Sequence, residues 1–309
     1  MTDLVPPGFA KRISTLPPDD VVPDAQWTVS GSEWLRTLPR LLDRLILEWD
    51  LRVDGPSTSG TCAVVVPVQS GSGPAVLKVG WPHHEAAAEH LALQHWDGNG
   101  AVRLLRADPR HFALLLERAD PSTDLGAVPL EDACAVIGDL LTQLRAPAVA
   151  RTPRLSEYGR RQVERLAAAP EILPRRFVDQ ARHLAASLGQ DPDVDACLVH
   201  TDLHYENVLA AQRQPWLAID PKPKAGDPAF EVAPVLWNRS DELGTGSSVR
   251  VNLRRRLETV CGHGGIDRER ARAWTIVREV DNAIGAAQAV GGSPERVSLA
   301  VAVVKAMND

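Results

Sequence analysis

The 309-residue sequence has no run approaching the ~20 apolar residues that a membrane-spanning helix needs. Its apolar residues, 44% of the chain beside 24% charged, are therefore free to build one large core or two moderate ones, and a soluble chain with no membrane partner is expected. The start, Met1-Thr-Asp-Leu-Val-Pro-Pro7, has no basic head followed by an apolar stretch, so no secretory signal and a cytoplasmic location are expected. Cysteine is scarce and scattered. Cys62, Cys134, Cys197 and Cys261 form no Cys-x-x-Cys pair and have no neighbouring histidine at zinc spacing, which argues for buried free thiols rather than a disulfide frame or metal site. Basic excess is missing too. The net charge of −6, with no Lys/Arg-rich stretch interleaved with aromatics, argues against a nucleic-acid partner, and Arg254-Arg-Arg256 reads as a solvated helix face. An acidic balance suits a polycationic small molecule.

What is present is concentrated in one stretch. Leu198-Val-His-Thr-Asp-Leu-His-Tyr-Glu-Asn-Val-Leu209 is followed by Trp216-Leu-Ala-Ile-Asp-Pro-Lys222, which sets two carboxylates and one amide around what reads as a single hairpin. The apolar runs 196–199, 207–210 and 216–219 predict three short buried strands, with Asp202, Asn207 and Asp220 at strand ends or in the loops between them. Transfer of a phosphoryl group needs a carboxylate to orient the acceptor hydroxyl and take its proton. It also needs oxygen ligands for magnesium on the nucleotide phosphates. Asp202 suits the first task, and Asn207 with Asp220 the second. His200 and His204 flank Asp202 at i and i+4, but on a loop that spacing does not bring two imidazoles to one face, so orientation of the loop is expected rather than zinc binding.

These residues carry a family resemblance. His200-Thr-Asp-Leu-His-Tyr-Glu-Asn207 resembles the catalytic loop of protein kinase-like folds in the form used by aminoglycoside phosphotransferases. Ile219-Asp-Pro-Lys-Pro-Lys-Ala-Gly-Asp-Pro-Ala-Phe-Glu231 is similar to the streptomycin 6-kinase and hydroxyurea kinase branch of that family. The resemblance implies an α+β, bilobal protein kinase-like fold, with a small antiparallel β-rich N-lobe over residues 1–117 and a larger, mainly helical C-lobe over 118–309. It further implies an ATP- and Mg2+-dependent kinase acting on a small-molecule hydroxyl acceptor. An aminoglycoside, through the 6-hydroxyl of streptomycin, is the leading expectation; hydroxyurea or another small metabolite is the alternative, with a nucleotide-binding module lacking transfer as a third reading. A monomer or weak dimer is expected.

The rest of the chain is read around this core. Ser32 opens a helix and Pro39 is expected to start a second one. Segments 51–53, 62–68 and 74–79 predict three antiparallel strands separated by Gly/Ser-rich turns. Lys78 lies on the last of these, and the resemblance places its ammonium on the α/β-phosphates. The alanine- and leucine-rich run 82–96 predicts a helix with Glu85 and Glu89 one turn apart. By resemblance one of them orients Lys78: Glu89 is favoured and Glu85 stays open. Asp54-Gly-Pro-Ser-Thr-Ser-Gly60 is small and flexible enough to approach phosphate, yet it is neither Gly-x-Gly-x-x-Gly nor a Walker motif, and an ordinary turn fits it equally. The strand 112–117 ends at the implied interlobe hinge, where Glu117 and Ala119 are named by position for nucleotide binding. Asp227 suggests a cap or loop brace, and Glu231 stands where relatives usually carry aspartate. Asp281, on a helix-spaced segment 272–284, joins Asp241 and Glu242 as implied contacts for a cationic acceptor.

Overall fold

The computed structural model describes residues 4–19, 29–289 and 292–308; Met1, Thr2 and Asp3 of the N-terminal stretch lie outside the described residues. Two compact units meet at Ala119/Asp120, two residues beyond the boundary expected from sequence.

The first unit builds helices on one face of a sheet. Helices α1 (Pro7–Ile13) and α2 (Gly31–Glu48) precede short strands β1 (Arg52–Val53) and β2 (Thr58–Ser59), the long hairpin β3 (Ala63–Ser70) and β4 (Gly73–Gly80), helix α3 (Glu89–Trp96), and strands β5 (Leu104–Asp108) and β6 (Ala113–Glu117). The strands run antiparallel in the order β1-β3-β4-β6-β5, with β2 also on β3. Alternation fixes the faces. Val64, Val66, Val68, Ala75, Leu77 and Val79 turn into a core shared with Trp34, Leu38, Leu42 and Leu45 of α2. Lys78, between Leu77 and Val79, emerges on the opposite face.

Two expectations need correction here. Pro39 does not start a new helix; it sits inside α2. A proline within a helix costs ~3 kcal/mol through the lost hydrogen bond and ring clash. The four apolar side chains of α2 just named are each worth ~1.5–3 kcal/mol on burial, so the continuous helix wins. The N-cap is Ser30, not Ser32: its hydroxyl accepts the Glu33 N–H at 3.3 Å while the Glu33 carboxylate accepts the Ser30 N–H at 3.1 Å, a reciprocal capping box. The helix predicted over 82–96 begins only at Glu89. Residues 84–88 form turns, so Glu85 and Glu89 do not share a helical face.

The second unit is mainly helical. In chain order it holds β7 (Asp120–Asp124), α4 (Leu130–Gln143), β8 (Ala146–Pro147), α5 (Leu155–Ala167), α6 (Arg175–Gly189), β9 (Cys197–Val199), β10 (Val208–Ala210), β11 (Trp216–Ala218), β12 (Lys224–Gly226), α7 (Ala233–Trp237), α8 (Ser247–Gly264), α9 (Arg268–Gln288) and α10 (Pro294–Asn308). The single hairpin expected around Asp202 is divided: β10 pairs with β11 on one side and β7 on the other, whereas β9 pairs with β8 and β12. The loop after β9 thus bridges two small sheets. Helix α9 anchors the unit with Trp274 fully buried, its ring edge-on to Phe230, which in turn meets Tyr158, both at 5.3 Å. Arg256 is no part of a solvated face. It is 2% exposed and donates to the carbonyls of Asn238 and Arg239 at 2.7 and 2.8 Å.

Helices α4 and α8 approach at Gly138, where an added Cβ would lie 2.5 Å from the His263 Cβ and 2.9 Å from the Val260 carbonyl. Gly138→Ala is expected to lower stability by about 1–3 kcal/mol through overpacking. Gly262→Ala, on the same helix pair but facing open space, should raise it by ~0.5–1 kcal/mol. Denaturant melts of the two variants check the contrast, and equal shifts would refute the close approach.

Candidate active site

Four hydrogen bonds close a ring around the loop between β9 and β10. The Asp202 N–H donates to Nδ1 of His200 at 3.3 Å, and His200 Nε2 meets the Ile219 carbonyl at 3.0 Å. The Ile219 N–H donates to the Asn207 carbonyl at 2.9 Å, and the Asn207 side-chain amide returns to the Asp202 carbonyl at 2.9 Å. Since Nδ1 accepts, Nε2 carries the proton, which is the neutral tautomer. Burial enforces it: His200 is 0% exposed and its pKa is pushed down to about 4, against the pull of Asp202. Asp202, Asn207 and Asp220, eighteen residues apart from first to last, are thereby tied into one backbone framework.

A second layer holds the loop from beneath. The Glu231 carboxylate accepts the His200 N–H at 2.9 Å and also the Thr201 N–H, while burial pushes its pKa up to about 7. Its other oxygen lacks a hydrogen-bond partner among the described residues, and Glu231 lines a cavity of about 10 Å³ together with Arg145 and Val199. That space is of the order that admits one water. Arg278 of α9 lies against the rings of Phe230 and Trp237 at 4.2 and 4.8 Å and donates to the carbonyls of Phe230 and Thr201, each at 3.0 Å. These contacts hold Thr201 at φ +64 and Asp220 sits at φ +57. Left-handed backbone at a β-branched residue is a costly conformation, and such residues cluster at functional sites.

The donor set suits magnesium. Asn207 spends its NH2 on Asp202, at 2.9 Å to the carbonyl and 3.4 Å to the carboxylate, which makes Oδ1 the atom that could ligate a cation. Asp220, which carries the second hard oxygen donor, follows Ile219, whose N–H donates to the Asn207 carbonyl. One amide oxygen and one carboxylate match an ion that keeps waters and phosphates as its other ligands. Within the first unit, Lys78 Nζ is 2.6 Å from the Glu89 carboxylate. The Glu117 N–H donates to the Arg103 carbonyl and its carboxylate accepts the Arg103 N–H. Ala119 is the last residue of that unit. The segment 54–60 carries β2, and Asp54 is paired with Arg118 at 2.8 Å.

The three acidic residues expected near an acceptor do not converge as one cluster. Asp281 is half-buried, 2.9 Å from Arg165 and hydrogen-bonded by Gln162 at 3.0 Å, so it is an internal partner rather than loose surface charge. Glu242 is held by the Arg239 guanidinium at 2.6 and 2.8 Å, whereas Asp241, on the same short helical turn, is exposed. Asp227 accepts the Ala229 N–H as a cap and also binds Arg270 and the Trp274 indole. Sequence reasoning gave no role to Glu231, Arg278 or Lys222, whose ammonium is 3.1 Å from the Asp202 carboxylate. The Asp-Pro-Lys-Pro spacing was the one local signal for Lys222.

Solved structures with this architecture define the class. The aminoglycoside phosphotransferase APH(4)-Ia matches with a TM-score of 0.55 at 15% identity, over 88% of this chain and 98% of that one. The choline kinase LicA of Streptococcus pneumoniae matches at 0.56 and 14%, over 88% and 99%. The fold is therefore α+β and protein kinase-like. A family model described as aminoglycoside/hydroxyurea antibiotic resistance kinase matches residues 48–290, and the chain belongs to that family. It is 40% identical over 262 residues to a streptomycin 6-kinase of Streptomyces glaucescens, covering 82% of this chain and 84% of that protein. It is 39% identical over 269 residues to a hydroxyurea phosphotransferase of Kitasatospora aureofaciens, covering 82% and 75%. The protein is thus a phosphotransferase enzyme.

The buried imidazole makes a pH signature. Its folded pKa, about 4, lies below the ordinary 6.5, so the unfolded chain binds the proton first as pH falls. The stability that neutral His200 contributes is complete above pH 6.5 and is lost on the way down to about pH 4, a change of ~3 kcal/mol. Comparing denaturant melts of wild type and His200→Gln between pH 7 and 4 isolates this. The gap between them is expected to shrink by roughly that amount, and a pH-independent gap would contradict a neutral buried ring.

Proposed function

We propose that the protein transfers the γ-phosphoryl group of ATP to a hydroxyl of an aminoglycoside, the 6-hydroxyl of streptomycin, and so inactivates the antibiotic. The observation that carries this reading is the hydrogen-bonded ring that ties Asp202 and Asn207 to Ile219, the residue before Asp220. Support for the acceptor comes from the streptomycin 6-kinases of Streptomyces glaucescens and Streptomyces griseus, 40% and 38% identical to this chain.

Asp202 orients the acceptor hydroxyl and takes its proton as the oxygen attacks phosphorus in line. Asn207 Oδ1 and the Asp220 carboxylate would hold Mg2+, which offsets the charge of the β- and γ-phosphates when bound. Lys78, kept extended by Glu89, serves the α- and β-phosphates, and the backbone at Glu117 and Ala119 serves the purine. Asp281 and Asp241, with Glu242 through its pair with Arg239, are the acidic groups assigned to the cationic acceptor. Positioning and electrostatics carry the rate, with no covalent enzyme intermediate. The enzyme works as a monomer or weak dimer in the cytoplasm.

A second reading has one observation in its favour: the relative named hydroxyurea phosphotransferase, at 39% identity, lies between the two streptomycin kinases at 40% and 38%. The discriminating experiment is Mg-ATP-dependent phosphorylation of streptomycin, with hydroxyurea and a panel of amino sugars alongside and the product placed by mass spectrometry and NMR. A phosphate on the 6-hydroxyl is the expected result; turnover of hydroxyurea alone would replace the acceptor. In the same assay Asp202→Ala should lower kcat by about 100-fold or more with Mg-ATP binding retained, given what a positioned base contributes. Asp220→Ala should weaken both. Wild-type turnover in Asp202→Ala rules that residue out as the base.

A further inference from the structure

One side chain of helix α1 leaves the helical layer to which the rest of the helix belongs. Phe9 and Ile13 are buried in the core on the Val64 and Val66 side of the first sheet. Arg12, on the exposed flank, instead reaches a turn 48 residues along the chain. Its Nη2 donates to the Gly60 carbonyl at 2.7 Å and its Nε to the Thr61 carbonyl at 3.3 Å. The rigid fork of a guanidinium suits two neighbouring acceptors, which a single ammonium cannot grip in the same way. The guanidinium also lies 5.6 Å from the centre of the Phe9 ring, so its stem is steadied by a buried aromatic. Helix α1 precedes the residues 48–290 that the family model matches, so this clamp comes from outside the matched region.

Gly60-Thr61-Cys62 joins β2 to β3. The Gly60 N–H donates to the Ala63 carbonyl at 3.0 Å, and the Trp81 N–H donates to the Cys62 carbonyl at 2.7 Å, so with Arg12 in place all three carbonyls of the turn meet protein donors. Register sets the turn beside Lys78. Thr58 stands opposite Val65 and Val65 opposite Lys78, and residues directly opposite share a face, so Thr58 and Lys78 lie on the face away from α1. Two strand spacings, about 10 Å, separate them. A Cβ added to Gly60 would meet nothing within 4 Å, so glycine is not required there for space. What it supplies is backbone freedom, which in an unrestrained turn would let a carbonyl oxygen swing toward the phosphates and repel them.

We infer that Arg12 is a positioning residue for the nucleotide phosphates, a clamp that holds the Gly60 and Thr61 carbonyls back so that the turn offers its N–H side to the face carrying Lys78. This rests on the reading of Lys78 as the group that serves the α- and β-phosphates. In a trans peptide the carbonyl and the N–H point in opposite directions, so a Gly60 carbonyl drawn toward α1 turns the Thr61 N–H away from it. Backbone N–H groups presented in this way are the donors of anion-binding concavities. The guanidinium stays behind the turn and touches no phosphate. Its effect is to order the turn before nucleotide arrives, which removes that cost from binding.

The test uses the full chain with Arg12→Met, which keeps a stem against Phe9 and removes both donors, and Arg12→Lys, which keeps the charge without the fork. Calorimetry reads the affinity for Mg-ATP, and competition against Mg-ATP reads the affinity for adenosine, which has the purine and no phosphate. Arg12→Met should weaken Mg-ATP about tenfold, the scale of losing a preorganised turn, with adenosine within about twofold of wild type. Arg12→Lys should stay within about threefold of Arg12→Met, because geometry rather than charge makes the clamp. Wild-type Mg-ATP affinity in Arg12→Met overturns the inference and leaves the kinase reading standing. An equal loss for adenosine also overturns it, since that marks a general loosening of the sheet. So does recovery to wild type in Arg12→Lys, which makes charge alone the cause. A wild-type chain that binds no Mg-ATP removes the reading of Lys78 and this inference together.

Discussion

The site depends on keeping one imidazole uncharged. Neutral His200 accepts at one nitrogen and donates at the other, and only that pattern satisfies both the Asp202 N–H and the Ile219 carbonyl. A charged ring would present two donors, oppose the Asp202 N–H and require solvation that its burial denies. Through this one side chain the residue at the start of the loop governs where Asp220, on the far side of β10 and β11, stands relative to Asn207.

The same loop carries conformational strain, of order 1–3 kcal/mol for each left-handed non-glycine residue. Thr201 tolerates it because every polar group it has is engaged: its N–H by Glu231, its carbonyl by Arg278 and its hydroxyl by the Lys222 carbonyl. Burying a carboxylate and a guanidinium beneath the loop is costly in isolation. Here each spends its hydrogen bonds on the backbone that must not move, which is a reason for charge in an otherwise aromatic floor of Phe230, Trp237 and Trp274.

What sequence made legible was local. Short apolar runs located β9, β10 and β11, and polar residues at their ends located Asp202, Asn207 and Asp220, because period and spacing are properties of a few consecutive residues. Alternation around Lys78 gave its strand and face in the same way. The misreadings came where distant packing outweighed a local rule. Pro39 carries a terminator's signature but sits on a helix whose apolar stripe is buried from end to end. Residues 84–88 have helix-forming composition yet form turns before α3. Glu231, Arg278 and Arg256 act by bonding backbone carbonyls or amides far along the chain, and backbone partners leave no mark in the order of side chains. Lys222 lay in plain view beside Asp220, but its partner is a carboxylate twenty residues earlier.

Helix α9 gives Arg278 and Asp281 a shared fate. They are three residues apart on one rigid rod, about 4.5 Å along its axis, so neither shifts without the other. One end of that short lever grips the Thr201 carbonyl and the other meets Arg165 of α5. Whatever presses α5 and α9 apart is felt at the strained peptide that precedes Asp202, so the fit of the helical layer and the aim of the carboxylate are mechanically a single variable.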